Sequence, residues 1–256
     1  MFRREGPARD PQKNLLLAAY LAATAGFVNS GGFVMIGSFT SHVTGSVGRF
    51  ANDLANGHPA AAVSALSLAT AFFFGAVGAS LLLDMTGLRV PLRYCAALAV
   101  EGLLLLVFVF VAGLSRTTHP RLLDAMAALL CAAMGLQNAL VTRLSGATVR
   151  TTHLTGIVTD LGIETVRWYR WHHARLLNPP RASQPPRHRP DGRIALHLAI
   201  TIAFVVGAAA GAILTARASR WAMCLPAALA AAAAAFAALQ ARPEPGELAQ
   251  PPSSQA

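Results

Sequence analysis

Six apolar runs alternate with polar segments along the chain, at residues 15–36, 61–83, 92–112, 122–141, 194–215 and 221–240. An α-helix rises about 1.5 Å per residue, so about 20 apolar residues carry it across the hydrocarbon core of a bilayer. Each run is of that order, and the pattern predicts an all-α fold: a polytopic membrane helix bundle of about six transmembrane helices. Arg3, Arg4, Arg9 and Lys13 precede the first run as they would in a signal peptide, but apolar residues resume after Gly32 and five more runs follow. An uncleaved first helix, starting at Asn14 as its N-cap, is therefore expected. The polar segment 40–57 is too short and too polar to cross independently and reads as a re-entrant or interfacial helix, while 156–170 reads as an amphipathic helix.

These two polar segments repeat one another. Thr40-Ser41-His42-Val43-Thr44-Gly45 is answered 111 positions later by Thr151-Thr152-His153-Leu154-Thr155-Gly156. A second echo lies upstream, in Gly26-x-x-Asn29 and Gly135-x-x-Asn138, with Asn29 13 residues before His42 and Asn138 15 before His153. Two matches in the same order point to internal duplication. A unit of three spans has an odd number of crossings, so the second copy must enter from the opposite side, as an inverted repeat about an axis in the membrane plane. The expected organisation is a tail at 1–13, repeats at 14–112 and 113–240, and a polar tail at 241–256. Residues 174–193, with five prolines and five arginines, form an inserted basic loop within the second repeat.

Asn29-Ser30-Gly31-Gly32 predicts a break or strong kink in the first span, because each helical glycine costs about 1 kcal/mol. In hydrocarbon a broken helix requires protein or water to satisfy its freed peptide groups, and in inverted-repeat transporters such interruptions meet near the midplane around the substrate. On that reasoning the candidate substrate-binding residues are Asn29, His42, Thr44, Glu101, Asn138, His153, Thr155 and Asp160. His42 and His153 are of the residue type that changes charge near neutral pH. Thr44 and Thr155 would cap the following helices, whose first amides favour an anion. Asn29 and Asn138 would satisfy freed backbone groups or touch substrate. Glu101 lies inside the third run, where an ionised carboxylate is expensive unless a cavity or partner receives it. Asp160 and Glu164 share one face of the amphipathic helix, and for them, as for Asp53, a solvated face is the favoured reading. The competing reading of the His and Thr positions is a turn that ends one helix and starts the next at the membrane boundary.

Composition supports the membrane assignment: 54% of residues are hydrophobic and 12% charged, against about 25% charged in soluble domains. A net charge of +10 would suit nucleic acid, but its distribution argues otherwise. With both termini inside, 16 of the 21 Lys and Arg fall on the inner side: four in the N-terminal tail, Arg89 and Arg93, nine from Arg143 to Arg193, and Arg242. That is the positive-inside asymmetry. The basic loop can touch anionic headgroups, yet it lacks the aromatic interleaving that stacks bases, so no nucleic-acid partner is expected. The expected partners are the lipid bilayer and an unidentified small molecule, with homo-oligomerisation left open.

Cys95, Cys131 and Cys224 lie singly in different spans and suggest neither a disulfide framework nor a metal pair. Two histidines can ligate haem, but His42 and His153 occupy opposite ends of the inferred repeat in loop-like contexts, so no cofactor is expected. No Gly-x-Ser-x-Gly, HExxH, P-loop or strand-flanked GxGxxG is present, and the chain is not expected to be an enzyme. A non-transporting scaffold or assembly factor is the alternative to a carrier.

Ala25-Gly26 followed by the Thr40–Gly45 block, Phe74-Gly75-x-x-Gly78, and Gly135-Leu136-Gln137-Asn138 leading to Thr151–Gly156 together resemble the YoaK-like bacterial inner-membrane proteins. The resemblance extends from about residue 14 to 240. It implies a multi-pass protein of the bacterial cytoplasmic membrane with permease character, and supplies no substrate. Where that family often has Asp, this sequence has Asn29, which puts proton coupling through that position in doubt.

Overall fold

The computed structural model describes residues 11–85, 87–114, 119–145, 152–177 and 191–241. Its elements are α1 (Pro11–Ile36), α2 (Val43–Ala55), α3 (Pro59–Asp84), α4 (Val90–Leu114), α5 (Pro120–Ser145), α6 (Leu154–Leu177), α7 (Asp191–Ala218), a 3-10 turn (Ser219–Met223) and α8 (Cys224–Gln240). The tails at 1–10 and 242–256, Thr151 and the heart of the basic loop at 178–190 lie outside the described residues. Prolines open α1, α3 and α5, where the missing N–H costs nothing and the fixed φ suits the first turn. The first helix therefore starts at Pro11 rather than at Asn14.

Five helical segments are long and apolar enough to cross a membrane: Leu15–Ile36, Pro59–Asp84, Val90–Leu114, Pro120–Leu144 and Gly192–Gln240. The last, 49 residues long, contains α7, the 3-10 turn and α8. Phe73, Phe74, Leu81, Leu103, Phe110, Val205 and Val206 are exposed on α3, α4 and α7, as lipid-facing side chains would be. Within the bundle, Leu17, Leu21, Tyr94, Leu98, Leu105, Phe108, Leu130, Met134 and Leu140 form the centre of one continuous core.

Burying leucine gains little where the alternative solvent is lipid, so close backbone approach must supply the packing. Glycines provide it at two crossings. A Cβ on Gly26 would collide with the Phe204 carbonyl, and one on Gly207 with the Ala23 carbonyl, joining α1 to α7. In the same way Gly75 faces the Ala132 carbonyl and Gly135 the Phe72 carbonyl, joining α3 to α5. The dominant pairings are accordingly α1 with α7, α3 with α5 and α4 with α8, while α2 lies on α3 and α6 on α7. Polar bonds pin both ends of the α3–α5 pair: the Ser64 hydroxyl donates to Asp124 Oδ1 at 2.5 Å, and the Arg143 guanidinium donates to Asp84 Oδ1.

The expected break at Ser30–Gly32 is absent; α1 runs unbroken through it. Packing outweighs the propensity cost, because a Cβ on Gly31 would lie 2.5 Å from Met223 Cε and one on Gly32 2.8 Å from Thr40 Cγ2. The helix stops instead at Gly37, whose φ of +75° ends it and whose N–H donates to the Phe33 carbonyl at 2.8 Å.

Candidate functional site

Asn29 sits on the last turns of α1, buried, with its side-chain oxygen turned to the loop that leaves the helix. Oδ1 accepts from Thr40 N at 3.0 Å, Ser41 N at 3.1 Å and Ser41 Oγ at 3.0 Å. Because two of those donors are backbone amides, the amide orientation of Asn29 is fixed. Asn138, at the matching place in α5, donates from Nδ2 to Thr152 Oγ1 at 2.5 Å. In each half the asparagine therefore ties the segment just before the histidine back onto the preceding helix.

His42 follows as the N-cap of α2, with φ −100° and ψ 68°, and His153 immediately precedes α6. Each imidazole folds over the first helical turn. A Cβ on Gly45 would run into the His42 ring, and one on Gly156 into the His153 ring. This explains the spacing of the motif: a ring lying on the third residue beyond it leaves room only for glycine. Thr44 and Thr155 are exposed at the second position of their helices, so the expectation that they cap is corrected; the histidine occupies the cap.

The expected meeting of the two polar segments is also corrected. His42 is carried on α2 against α3, His153 on α6 against α7, and among the described residues α2 and α6 make no contact. α1 and α5 run unbroken, so neither of these two helices frees peptide groups within its span.

Near His42 there is a pocket of 180 Å³ between the loop after α1, the first two turns of α2, and Ala65 and Leu68 of α3. Ser38, Ser46 and Arg49 share its wall with His42. Arg49 Nε pairs with Asp53 Oδ2 at 3.4 Å one turn further along.

Glu101 occupies a different place, at the middle of α4, 1% exposed, with neither carboxyl oxygen hydrogen-bonded. Gln137 in α5 is wholly buried, and neither atom of its amide has a partner. Tyr20 of α1 donates its hydroxyl to the Leu229 carbonyl of α8 at 2.6 Å. Such orphaned groups each forfeit about 1–3 kcal/mol unless something binds to them.

Asp160 is exposed on α6 and Glu164, on the same helix, is buried. The shared solvated face is thus corrected for Glu164: its Oε2 lies 3.3 Å from His197 Nδ1 of α7, in a pair with side chains 6% and 13% exposed. Gln137 and His197 escaped sequence reasoning. Gln137 adjoins Asn138 in the repeat, and that adjacency was its only signal; His197 falls inside an apolar run with nothing in sequence to announce its partner. The cysteines are free and on separate helices, and no group of three or more metal-ligating side chains occurs among the described residues.

No curated protein and no solved structure matches the chain. One family model does, across residues 17–236, which takes in every long helix and both histidine motifs. The chain belongs to the family described as protein of unknown function (DUF1275).

Proposed function

We propose that this multi-pass protein is a secondary carrier of a small molecule in the bacterial cytoplasmic membrane, with six crossings in two inverted repeats and both termini on the cytoplasmic side. The α7–α8 segment of 49 residues is read as two crossings joined by the 3-10 turn. Exchanging the halves, α1 for α5, α2 for α6, α3 for α7 and α4 for α8, turns the α1–α7 pair into α5–α3, the α2–α3 pair into α6–α7, and α4–α8 into itself. A two-fold relation would produce that pattern, and the reciprocal glycine contacts at Gly26–Gly207 and Gly135–Gly75 obey it as well.

The observation that carries the reading is Glu101. A carboxyl group held in the centre of a membrane bundle without a hydrogen-bond partner is expensive to keep, and a proton, cation or polar substrate group arriving there would offset the expense. Gln137, likewise buried and unpartnered on α5, would offer a neutral donor and acceptor to a polar ligand that reached it. Asn29 and Asn138 hold the loops before His42 and His153 to α1 and α5, and no bond-making step is assigned to any of these residues.

The test is uptake by proteoliposomes loaded against a pH gradient and exposed to a bacterial metabolite extract, with accumulated compounds identified by mass spectrometry. Wild-type protein is expected to accumulate at least one compound in a protonophore-sensitive way, and Glu101→Gln, folded to the same extent, to lose that accumulation at least tenfold. Equal uptake by both proteins would remove Glu101 from the mechanism, and uptake no greater than by empty liposomes would remove the carrier reading.

A further inference from the structure

The pocket beside α2 has two unlike walls. One is polar and basic, made by His42, Arg49, Ser38 and Ser46. The other is apolar, made by Phe39, Ala65 and Leu68. Gly45, which also lines it, belongs to the first turn of α2, whose amides have no intrahelical acceptor and turn a partial positive charge outward. The ion pair from Asp53 engages Arg49 through Nε, and Asp53 is not part of the wall. An Arg side chain so held keeps its terminal nitrogens for a second, bidentate acceptor.

The repeat supplies an independent comparison. Moving along the chain by the 111 residues that separate the two motifs takes His42 to His153, Gly45 to Gly156 and Asp53 to Glu164, but takes Arg49 to Asp160. The histidine and the glycine under its ring recur in both copies with the same contact, while Asp53 pairs with Arg49 on its own helix and Glu164 with His197 on α7. The basic residue facing the pocket is particular to the first copy, and its counterpart has the opposite charge.

We propose that this pocket binds a small oxyanion, a carboxylate or phosphate group, with the Arg49 guanidinium and the His42 ring on its oxygens and any short apolar portion against Phe39 and Leu68. The site lies at the end of α1, away from Glu101, and it stands whether or not the chain is a carrier. The same chemistry can come from a free anion or from an anionic lipid headgroup at the bilayer surface.

Isothermal titration of the full-length protein in phosphatidylcholine nanodiscs, with acetate and separately with inorganic phosphate at constant ionic strength set by sodium chloride, tests the assignment. Saturable binding of at least one anion is expected. It should weaken at least tenfold in Arg49→Gln, a change at a half-exposed side chain that leaves the fold intact, and stay unchanged in Arg167→Gln on the exposed face of α6. A second set in phosphatidylglycerol nanodiscs separates the sources: lowered apparent affinity in wild type alone assigns the pocket to a headgroup as well, and unchanged affinity assigns it to free anions. Absence of saturable binding by either anion, or equal binding by Arg49→Gln, would overturn the proposal.

Discussion

Replacing Asn29 with alanine would remove a single oxygen on which three donors converge. Two are the backbone amides of Thr40 and Ser41 and one is the Ser41 hydroxyl. Asn29 is 8% exposed and Thr40 1%, so the Thr40 N–H would lose its acceptor where water does not replace it. An unsatisfied buried amide costs about 1–3 kcal/mol, and the two lesser bonds contribute about 0.5–1.5 kcal/mol each. Allowing for partial rehydration of the half-buried Ser41, the expected loss is about 3 kcal/mol, more than a hundredfold in the local opening equilibrium. Hydrogen exchange read by mass spectrometry on peptides spanning 37–45 should show that loss as faster exchange at Thr40 and Ser41, with α3 and α4 unaffected. Asn29→Asp keeps the acceptor and should retain protection within about tenfold of wild type. Protection in Asn29→Ala equal to wild type, or an aspartate variant less protected than the alanine one, would show that the side-chain oxygen is not what holds the loop.

Two other substitutions probe the packing. Gly135→Ala places a methyl group against the Phe72 carbonyl, a backbone atom that cannot rotate aside, and should cost about 1–3 kcal/mol in detergent-induced unfolding, whereas Gly78→Ala, with open space around it, should cost nothing measurable. Glu164→Leu strands His197 without its buried partner and should loosen α6 by about 3 kcal/mol, seen as proteolysis within 154–173; the double variant Glu164→Leu/His197→Leu should restore most of the protection, because paired removal leaves no orphan.

The helices were legible because their signal is local and redundant: each of the six apolar runs lies on a helix or on the 3-10 turn leading into one. The Asn29–Gly32 stretch misled for a physical reason. Propensity assigns paired glycines a cost, but the benefit, contact with Met223, Thr215 and Thr40, comes from residues that are remote along the chain or beyond the turn. The true stop at Gly37 depends on a backbone angle that glycine permits but does not announce. At the site, the spacing of the motifs did place Asn29 beside the loop that leads to His42 and Asn138 beside the one that leads to His153. Nothing in the repeat says whether two such loops meet, because that depends on which helices cross, and it is the glycine-to-carbonyl contacts that set the crossings. The Glu164–His197 pair was hidden for the same reason: each member alone looks like a polar residue on a helix, and only the α6–α7 packing makes them partners.

The pairing of α1 with α7 has a consequence for how the protein is made. Gly26 and Gly207 are brought together across most of the sequence, and at about 5–20 residues per second the ribosome needs roughly 10–35 s to deliver the second after the first. Through that interval the newborn first helix stands in lipid with the groove at Ala23, Gly26 and Phe27 vacant. Any message truncated before residue 191 leaves it permanently without its mate, so quality-control proteases should recognise shortened products by this open groove, and the halves, if synthesised separately, should be stable only when both are present.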